Sequence, residues 1–172
     1  ATGSEVSSLP GIEIDEKNII SSTGALSLKK VPKKLAIIGG GYIGLEMGSV
    51  WSRLGSDVTV IEFLNHITPG MDKEISNEFK KILIKQGIKF KMESKVNSVK
   101  NTANGVSINY TDIKNSKNET LNFDKVLVSV GRKPYTEGLN LSKVGVKKDT
   151  KGRIQVNEKL QKEYINFVRF AV

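Results

Sequence analysis

The stretch LAIIGGGYIGLEMGSVW, residues 35–51, decides the fold of this 172-residue chain. It opens with four apolar residues, continues with three consecutive glycines, and then carries apolar residues at helical spacing. A short continuous apolar run is typical of a strand that is covered on both faces, as in a parallel sheet. The stretch therefore predicts a buried strand, a bare turn and a helix, in that order.

The residues after the glycines predict one core-facing side of a helix that ends near Gly55. That side is formed by apolar residues at positions i, i+4, i+7, i+8 and i+11: Ile43, Met47, Val50, Trp51 and Leu54. A second apolar run, VTVI at residues 58–61, predicts another strand. Strand, helix and strand within about thirty residues form a βαβ unit with a right-handed crossover.

Downstream patterns extend this unit into a larger sheet. Residues 72–86 predict a second helix with Ile75, Phe79, Ile82 and Leu83 on one face. Alternating apolar residues between 88 and 110 predict strands that are exposed on one side, and the polar segment 111–120 is predicted to be a mobile hairpin tip. A buried strand at 126–130 ends at Gly131. This order predicts an α/β fold in which an antiparallel β-meander is attached to a central parallel sheet.

The glycines satisfy the pattern G-x-G-x-x-G at Gly39, Gly41 and Gly44. The first glycine permits a tight turn out of the strand, the second lets the backbone approach a pyrophosphate, and the third lets helix and strand pack closely. The helix N-terminus then directs free N–H groups and the positive end of its dipole at the phosphates. The pattern has the required strand before it and helix after it, and it predicts a dinucleotide-binding turn.

Glu62 is the candidate for recognising the ribose of that dinucleotide. It lies 23 positions beyond Gly39 and directly follows the strand at 58–61. A carboxylate at this place accepts hydrogen bonds from both ribose hydroxyls and repels a 2'-phosphate, which favours NAD over NADP. Residues 63–65 contain no Arg or Lys that would reverse this preference. The alternative is a ligand-free strand-to-helix turn with an exposed Glu62.

Composition argues against several other classes of function, of which nucleic-acid binding stays as the third choice. The 27 basic and 18 acidic residues give a formal net charge of +9, but the lysines are scattered and no aromatic residues alternate with them as a nucleic-acid platform requires. The chain has no cysteine, so it offers no disulfide, no thiolate metal site and no cysteine nucleophile. No run reaches the ~18 apolar residues of a membrane span. We therefore expect no nucleic-acid or membrane partner and no metal site.

The remaining polar candidates have simpler structural explanations. His66 is the single histidine, and a lone histidine after a strand is more often a surface or loop residue than a catalyst. Asp72 and Glu74 are better explained as acids in the first turn of a helix than as a paired-carboxylate site. No Ser-His-Asp, zinc or Walker-type arrangement is visible, so no catalytic residue is predicted within this chain.

The segment IIGGGYIGLEMGSVWSRLGSDVTVIEF resembles the NAD-binding segment of the dihydrolipoamide dehydrogenases, flavoprotein components of the 2-oxo acid dehydrogenase complexes. Four further segments resemble that family in the same order: ATGSEVSSLPGI, SSTGALSLKKVP, VLVSVGRKPYTEGL and GRIQVN. The resemblance covers nearly the whole chain. It implies the FAD/NAD-binding domain of flavin disulfide reductases, with a Rossmann-like parallel sheet flanked by helices and an inserted antiparallel β-meander.

The resemblance also implies a role for each matching residue. Tyr42 would lie near the nicotinamide pocket, and Glu46 would face the flavin. Glu62 would bind the adenosine ribose, Val96 the adenine, and Gly131 would lie on the nicotinamide side. The NAD-contacting turn would comprise Gly39, Gly40, Gly41, Tyr42, Ile43, Gly44, Leu45 and Glu46. The FAD-contacting chain crossing would comprise Thr2, Gly3 and Ser4.

The resemblance further implies a division of the chain and a larger parent protein. Residues 1–32 would connect from an FAD domain, residues 33–134 would form the NAD-binding domain, and residues 135–172 would return towards the FAD and interface domains. The family's Cys-x4-Cys pair and His-Glu base have no counterpart here, and both ends of the chain look cut from a longer one. At residues 165–172 the family reads approximately PNIYAIGD, whereas this chain reads INFVRFAV, a departure at the Asp that binds the flavin ribityl chain.

The expected function is that of the NAD-binding domain of a dihydrolipoyl dehydrogenase. The intact enzyme would oxidise protein-bound dihydrolipoamide through a redox disulfide and FAD and would reduce NAD, whereas this chain alone would bind NAD(H) without turnover. The family implies lipoyl domains as partners, a homodimer and a mitochondrial location, with a plastid-type organelle or a bacterial cytoplasm as alternatives. Another flavin disulfide reductase, of the glutathione or mercuric reductase type, a transhydrogenase, and a non-catalytic NAD-binding module are the alternative functions.

Overall fold

The computed structural model describes residues 2–161, so the sequence departure at 165–172 lies outside the described residues. In chain order the elements are β1 (Ser4–Val6), β2 (Ile19–Ile20), α1 (Ser22–Leu26), β3 (Lys34–Ile38), α2 (Tyr42–Arg53), β4 (Asp57–Ile61), α3 (Lys73–Lys85), β5 (Lys89–Lys91), β6 (Ser94–Thr102), β7 (Gly105–Asp112), β8 (Lys117–Phe123), β9 (Lys125–Val128), β10 (Arg132–Pro134) and a 3-10 helix (Leu141–Val144).

These elements form two compact units. The larger unit is Ser8–Gly131, and the smaller unit comprises Ala1–Ser7 and Arg132–Val172, of which residues 2–7 and 132–161 are described. The predicted division at residues 32 and 134 stays a prediction. Within the larger unit, residues before 33 contribute a strand to the sheet, because β2 pairs in parallel with β9.

The larger unit is built on a five-stranded parallel sheet with the order β2-β9-β3-β4-β5. Strand β3 lies in the middle, with β4 on one side and β9 on the other, and both neighbours run parallel to it. The chain leaves β3 through α2 and returns to β4, which is the predicted βαβ unit. The predicted α/β class, with a parallel sheet, flanking helices and an antiparallel meander, is confirmed.

Both faces of β3 are buried, which explains its continuous apolar sequence. Leu35 and Ile37 pack into one core with residues of the helices, among them Leu45 of α2 and Leu83 of α3. Ala36 and Ile38 point to the opposite face and pack against the antiparallel sheet. Alternate strand residues therefore enter two different cores, and a polar residue at any of these positions would be left buried without a partner.

The side of α2 that faces the sheet overlaps only partly with the predicted one, since Met47 and Trp51 pack into the core as predicted. Its buried residues are Gly44, Leu45, Gly48 and Trp51. Val50 and Leu54, predicted to face the core, are 47% and 56% exposed. The physical reason is the two glycines, which let the helix backbone lie directly on the sheet and so turn the smallest side of the helix inward. The prediction that Trp51 is a core residue is confirmed.

Helix α3 starts where the sequence predicts, because Asp72 caps it. The Asp72 Oδ1 accepts hydrogen bonds from the N–H groups of Glu74, at 2.8 Å, and Ile75, at 3.2 Å. Such a cap stabilises a helix by about 1 kcal/mol. The predicted inner face was partly wrong. Leu83 is buried, but Ile75 and Ile82 are more than half exposed, and the small side chain of Ser76 takes the contact position instead.

The meander is a three-stranded antiparallel sheet in the order β6-β7-β8. The β7–β8 pairing continues to Asp112 and Lys117, so only four residues, 113–116, form the turn. The prediction of a mobile tip spanning 111–120 was therefore wrong. Polar cross-strand contacts extend the ladder, since the Thr111 hydroxyl donates to the Asn118 Oδ1 at 2.7 Å. A strand with one solvated face can be polar throughout its exposed positions.

A buried tyrosine connects the meander to the parallel sheet. The Tyr110 hydroxyl on β7 donates to the Glu119 carboxylate on β8. Lys91, the last residue of β5, lies 3.4 Å from the same carboxylate. Burial and the adjacent Glu119 carboxylate raise the pKa of the Tyr110 hydroxyl above its usual range. The phenol therefore stays protonated and continues to act as the donor near neutral pH.

The smaller unit contains a two-stranded antiparallel ribbon of β1 and β10. The Arg132 guanidinium donates to the Ser4 hydroxyl at 2.7 Å and to the Ser4 carbonyl at 2.6 Å. The Lys133 ammonium forms an exposed ion pair with Glu5 at 3.2 Å. Within residues 2–161, no helix is long and apolar enough to cross a membrane.

Asp15 fixes the loop that leads into β2. Its Oδ2 accepts from the Asn101 side chain of β6 at 2.8 Å. Its Oδ1 accepts from the backbone N–H groups of Lys17, Asn18 and Ile19. Partial burial acts to raise the pKa of Asp15, but these hydrogen bonds outweigh burial and lower the pKa from 3.8 to about 2. The ionised carboxylate is therefore the form that the fold stabilises.

Asp15→Asn should lower the free energy of unfolding at pH 7 by about 1 to 2 kcal/mol. The charge contributes fully above the ordinary carboxyl pKa, and its contribution is lost as the pH falls through the folded-state pKa of about 2. The difference in the free energy of unfolding between the unmodified chain and Asp15→Asn should therefore fall to about half of its pH 7 value at pH 3. Urea unfolding at both pH values measures it, with the exposed Glu13→Gln as control. An equal difference at both pH values would contradict the account.

Candidate functional site

The candidate site lies at the carboxyl ends of the parallel strands. Strand β3 ends at Ile38 and is followed by the glycine turn, β4 ends at Ile61 and is followed by Glu62, and β9 ends at Val128. The chain continues from β3 to β4 and β5 on one side, while β9 and β2 lie on the other. The order of strands reverses beside β3, and such a switch point is where open α/β sheets form a ligand crevice.

The three motif glycines have three different surroundings. At Gly39, where φ is +106°, a Cβ would lie 2.5 Å from the Ser129 carbonyl oxygen. At Gly44, a Cβ would lie 2.5 Å from the Ser129 Oγ and 2.6 Å from the Gly39 carbonyl oxygen. At Gly41, no described atom outside the adjacent residues lies within 4 Å of the Cβ position. The fold itself therefore requires the first and third glycines, while the space beside the second is open to a ligand.

The open glycine stands at the start of α2. Gly41 is the N-cap residue, and it has no side chain to accept a hydrogen bond from the first N–H groups. The first turn of this helix carries no acidic residue. These N–H groups and the positive end of the helix dipole are therefore available to an anion. A phosphate or pyrophosphate group fits this arrangement, since both its charge and its acceptor oxygens are matched.

Glu62 reaches the glycine turn from the neighbouring strand. It is only 8% exposed, and its Oε2 accepts from the Gly40 N–H at 2.5 Å. Its Oε1 accepts from the Leu64 N–H at 2.7 Å. The alternative of an exposed Glu62 is wrong. Each carboxylate oxygen keeps a further lone pair, so Glu62 can hold the turn and still accept hydrogen bonds from a ribose.

Two residues that the sequence analysis missed also hold the glycine turn. The Ser129 hydroxyl donates to the Ile38 carbonyl at 3.0 Å and lies 3.3 Å from the Gly39 carbonyl oxygen. The Thr68 N–H donates to the Gly40 carbonyl at 2.8 Å. Ser129 is the one polar residue within the predicted strand 126–130, which is a weak signal for such a residue, and it directly follows the observed β9. Nothing in the sequence marks Thr68.

The other residues predicted to bind NAD are distributed around this turn. Tyr42 is 69% exposed at the first position of α2. Val96 lies on β6, whose first residue, Ser94, donates its N–H to the Glu62 carbonyl at 2.9 Å. The Val96 side chain packs partly against the core beneath the meander. Gly131 is exposed with a φ of +124°, a conformation that favours glycine. Their roles towards NAD stay predictions.

The residues predicted to contact FAD belong to the smaller unit. The Thr2 hydroxyl donates to the Tyr135 carbonyl at 2.6 Å, and the Gly3 carbonyl accepts from the Tyr135 N–H at 3.0 Å. The Ser4 hydroxyl accepts from Arg132. These contacts fix a chain crossing, and the role of the three residues towards FAD stays a prediction.

The polar residues that the sequence marked as weak candidates for catalysis have structural roles close by in the chain. The His66 Nδ1 lies 2.9 Å from the Asn65 Oδ1, its sequence neighbour. Asp72 and Glu74 occupy the cap and first turn of α3, as predicted. Among residues 2–161, no group of three His, Asp or Glu side chains is arranged to hold a metal ion.

Comparison with known proteins agrees with this architecture. Residues 1–168 match the family model of the pyridine nucleotide-disulphide oxidoreductases. Dihydrolipoamide dehydrogenase of Chaetomium thermophilum is 60% identical over 159 residues, 92% of this chain and 32% of the relative. The mitochondrial dihydrolipoyl dehydrogenase of Pisum sativum is 55% identical with the same coverage. The Cu(II) complex of the HOCl-induced flavoprotein disulfide reductase RclA from Escherichia coli superposes with a TM-score of 0.83 at 30% identity, covering 94% of this chain and 35% of RclA.

The chain belongs to the pyridine nucleotide-disulphide oxidoreductases. Within that family it is homologous to the dihydrolipoyl dehydrogenases. It spans about a third of the length of these curated relatives.

Proposed function

We propose that this chain binds NAD(H) at the glycine turn between β3 and α2. The open space beside Gly41, at the uncapped N-terminus of α2, is the observation that carries the proposal. The pyrophosphate would accept from the N–H groups of the first turn of α2, and the adenosine ribose would donate its hydroxyls to Glu62. A 2'-phosphate beside the Glu62 carboxylate would be repelled, so NADH should bind ahead of NADPH.

The parent activity that best fits this site is that of a dihydrolipoyl dehydrogenase. FAD would be its second cofactor, and the bound nicotinamide supplies hydride-acceptor chemistry. The contribution of this chain would be to bind and orient the nucleotide, with the residues from Gly39 to Glu46 holding the pyrophosphate end and Gly131 lying on the nicotinamide side. Because the chain has no cysteine, it lacks a redox disulfide, and alone it should bind NAD(H) without turnover.

The same proposal extends to the surroundings of the parent protein. Its partners would be lipoyl domains of the 2-oxo acid dehydrogenase complexes, it would be a homodimer, and it would reside in mitochondria. The name of the Pisum sativum relative includes a mitochondrial location, which supports this assignment. The proposed NAD-binding domain is 33–134, and the flavin-contacting crossing is formed by Thr2, Gly3 and Ser4.

A fluorescence titration of the chain with NADH and NADPH in parallel tests the proposed function. NADH should bind saturably and well ahead of NADPH. Glu62→Ala should weaken NADH binding by about 1 to 3 kcal/mol, because charge-assisted hydrogen bonds to the ribose are lost and the Gly40 N–H is released.

Glu13→Ala is the matched control, since it also removes one glutamate but lies on an exposed loop. Its NADH affinity should equal that of the unmodified chain. Equal binding of NADH and NADPH, or an unchanged affinity of Glu62→Ala, would remove Glu62 from the nucleotide site. An absence of NADH binding by the unmodified chain would contradict the proposed function itself.

A further inference from the structure

A strained residue lies directly beneath the glycine turn. Thr68 has a φ of +48°, in the left-handed region, and is only 5% exposed. A β-branched residue rarely adopts this conformation, because its branched Cβ crowds the backbone. Such strain persists only where the surroundings enforce it, and it is often found at functional sites. The contacts of Thr68 therefore need a physical explanation.

Two anchors hold Thr68 in this conformation. The preceding residue, Ile67, is completely buried in the core that also contains Leu45 and Leu83. The Thr68 Oγ1 lies 2.8 Å from the Oγ of Ser76, which is 1% exposed on the inner side of α3. Because both hydroxyls are buried, separating them would leave two polar groups without partners. The hydroxyl pair therefore locks the left-handed backbone at residue 68.

The locked backbone aims one donor at the glycine turn. The Thr68 N–H donates to the Gly40 carbonyl at 2.8 Å. In a planar trans peptide the carbonyl and the following N–H point in opposite directions. The peptide between Gly40 and Gly41 is thus oriented with its carbonyl towards Thr68 and its N–H away from it. That N–H belongs to Gly41, the residue with open space beside it.

We propose that Thr68 is a positioning residue for the nucleotide site: its hydroxyl bond to Ser76 enforces the left-handed backbone whose N–H fixes the Gly40–Gly41 peptide, so that the Gly41 N–H faces the pyrophosphate. The inference rests on the proposed binding of NAD(H). Thr68 and, through Ser76, helix α3 would then help to orient the nucleotide-binding turn. The cradle is thereby formed before the nucleotide binds, which removes an ordering cost from binding.

Three variants separate this role from simple packing. Thr68→Val keeps the shape and the steric strain but removes the hydroxyl lock, so the backbone should leave the left-handed region and withdraw its N–H. Thr68→Gly also lacks the hydroxyl, but it adopts the left-handed conformation without steric cost. Ser76→Ala breaks the same hydroxyl pair from α3. A packing role alone would give the opposite order, since Val fills the buried space and Gly leaves a cavity.

The experiment measures NADH affinity and the hydrogen exchange of the residue 68 amide in the nucleotide-free chain. In Thr68→Val that amide should exchange at least about 10-fold faster, and NADH should bind about 5- to 10-fold more weakly, as for one lost hydrogen bond. Thr68→Gly should stay within about 3-fold of the unmodified chain in both measurements. Ser76→Ala should change both in the direction of Thr68→Val.

Each result decides one of the two proposals. Faster exchange or weaker binding in Thr68→Gly than in Thr68→Val would overturn the positioning role of Thr68. If the unmodified chain binds no NADH, the proposed function fails, while the order of the exchange rates still decides whether Thr68 fixes the glycine turn. Circular dichroism verifies the helix content of each variant. Should Thr68→Val fail to fold, Ser76→Ala provides the same comparison from the other hydroxyl.

Discussion

Gly41→Asp should abolish NADH binding while leaving the fold intact. A Cβ added at this position has no described atom within 4 Å outside the adjacent residues. The aspartate would cap α2, accept hydrogen bonds from the N–H groups that we propose bind the pyrophosphate, and repel the phosphates by its charge. We expect NADH affinity to fall at least about 100-fold, because charge-assisted hydrogen bonds are lost and like charges meet. The midpoint of thermal unfolding should stay equal or rise slightly, since aspartate is as good an N-cap as glycine or better.

Gly41→Asn separates the effect of the added charge on NADH affinity from the effect of the added side-chain volume. Asparagine has nearly the same shape and also caps a helix, but it carries no charge. Its affinity for NADH should lie between those of Gly41→Asp and the unmodified chain. Isothermal titration calorimetry of the three proteins measures the order. If Gly41→Asp binds NADH as tightly as the unmodified chain, the pyrophosphate does not lie at the start of α2, and the site must be sought elsewhere.

The three central strands of the parallel sheet could be predicted from the sequence because their patterns are local. The apolar runs at 35–38, 58–61 and 126–130 correspond to β3, β4 and β9 within one or two residues. Residues 35–38, 58–61 and 126–128 are buried on both faces, so these runs are almost entirely apolar, with Thr59 as the exception. The helix bounds were also close, because Asp72 and Gly55 are capping and stop signals.

The inward faces of the helices could not be predicted from apolar spacing alone. Spacing identified Val50 and Leu54 as core residues, but both are about half exposed. Helix α2 lies on the sheet through Gly44 and Gly48, and glycine carries no apolar signal. The glycine side of α2 therefore packs against the sheet, because only that side lets the two backbones approach closely. An apolar stripe predicts that a helix has a face, but the closest packing decides which face points inward.

Only those residues of the candidate site that belong to a recognisable sequence motif could be predicted. The motif glycines and Glu62 lie together as their spacing suggested, because the carboxyl ends of adjacent parallel strands meet at one edge of the sheet. Thr68 and Ser129 touch the same turn from positions distant in sequence. Threonine is unfavourable in the left-handed conformation, so propensity argues against the conformation observed at Thr68. Only tertiary contact reveals such residues.

Gly44→Ala should destabilise the fold, although alanine normally favours a helix over glycine by about 1 kcal/mol. The added Cβ would lie 2.6 Å from the Gly39 carbonyl oxygen and 2.9 Å from the Ile37 Cγ2. The first contact involves backbone, which cannot rotate away, so α2 would have to move off β3. Overpacking of this kind exceeds the helix preference, and we expect the free energy of unfolding to fall by about 2 to 4 kcal/mol.

Gly48→Ala provides the matched control one turn further along α2. Its Cβ would approach the Ile37 Cδ1 at 2.6 Å, the end of a flexible side chain that can change rotamer. The loss should therefore stay below about 1 kcal/mol, because the helix preference of alanine offsets the repacking. Urea unfolding followed by circular dichroism gives both values. If Gly44→Ala is as stable as Gly48→Ala, then α2 can shift away from β3 at little cost, and close packing of helix on strand is not what requires the third glycine of the motif.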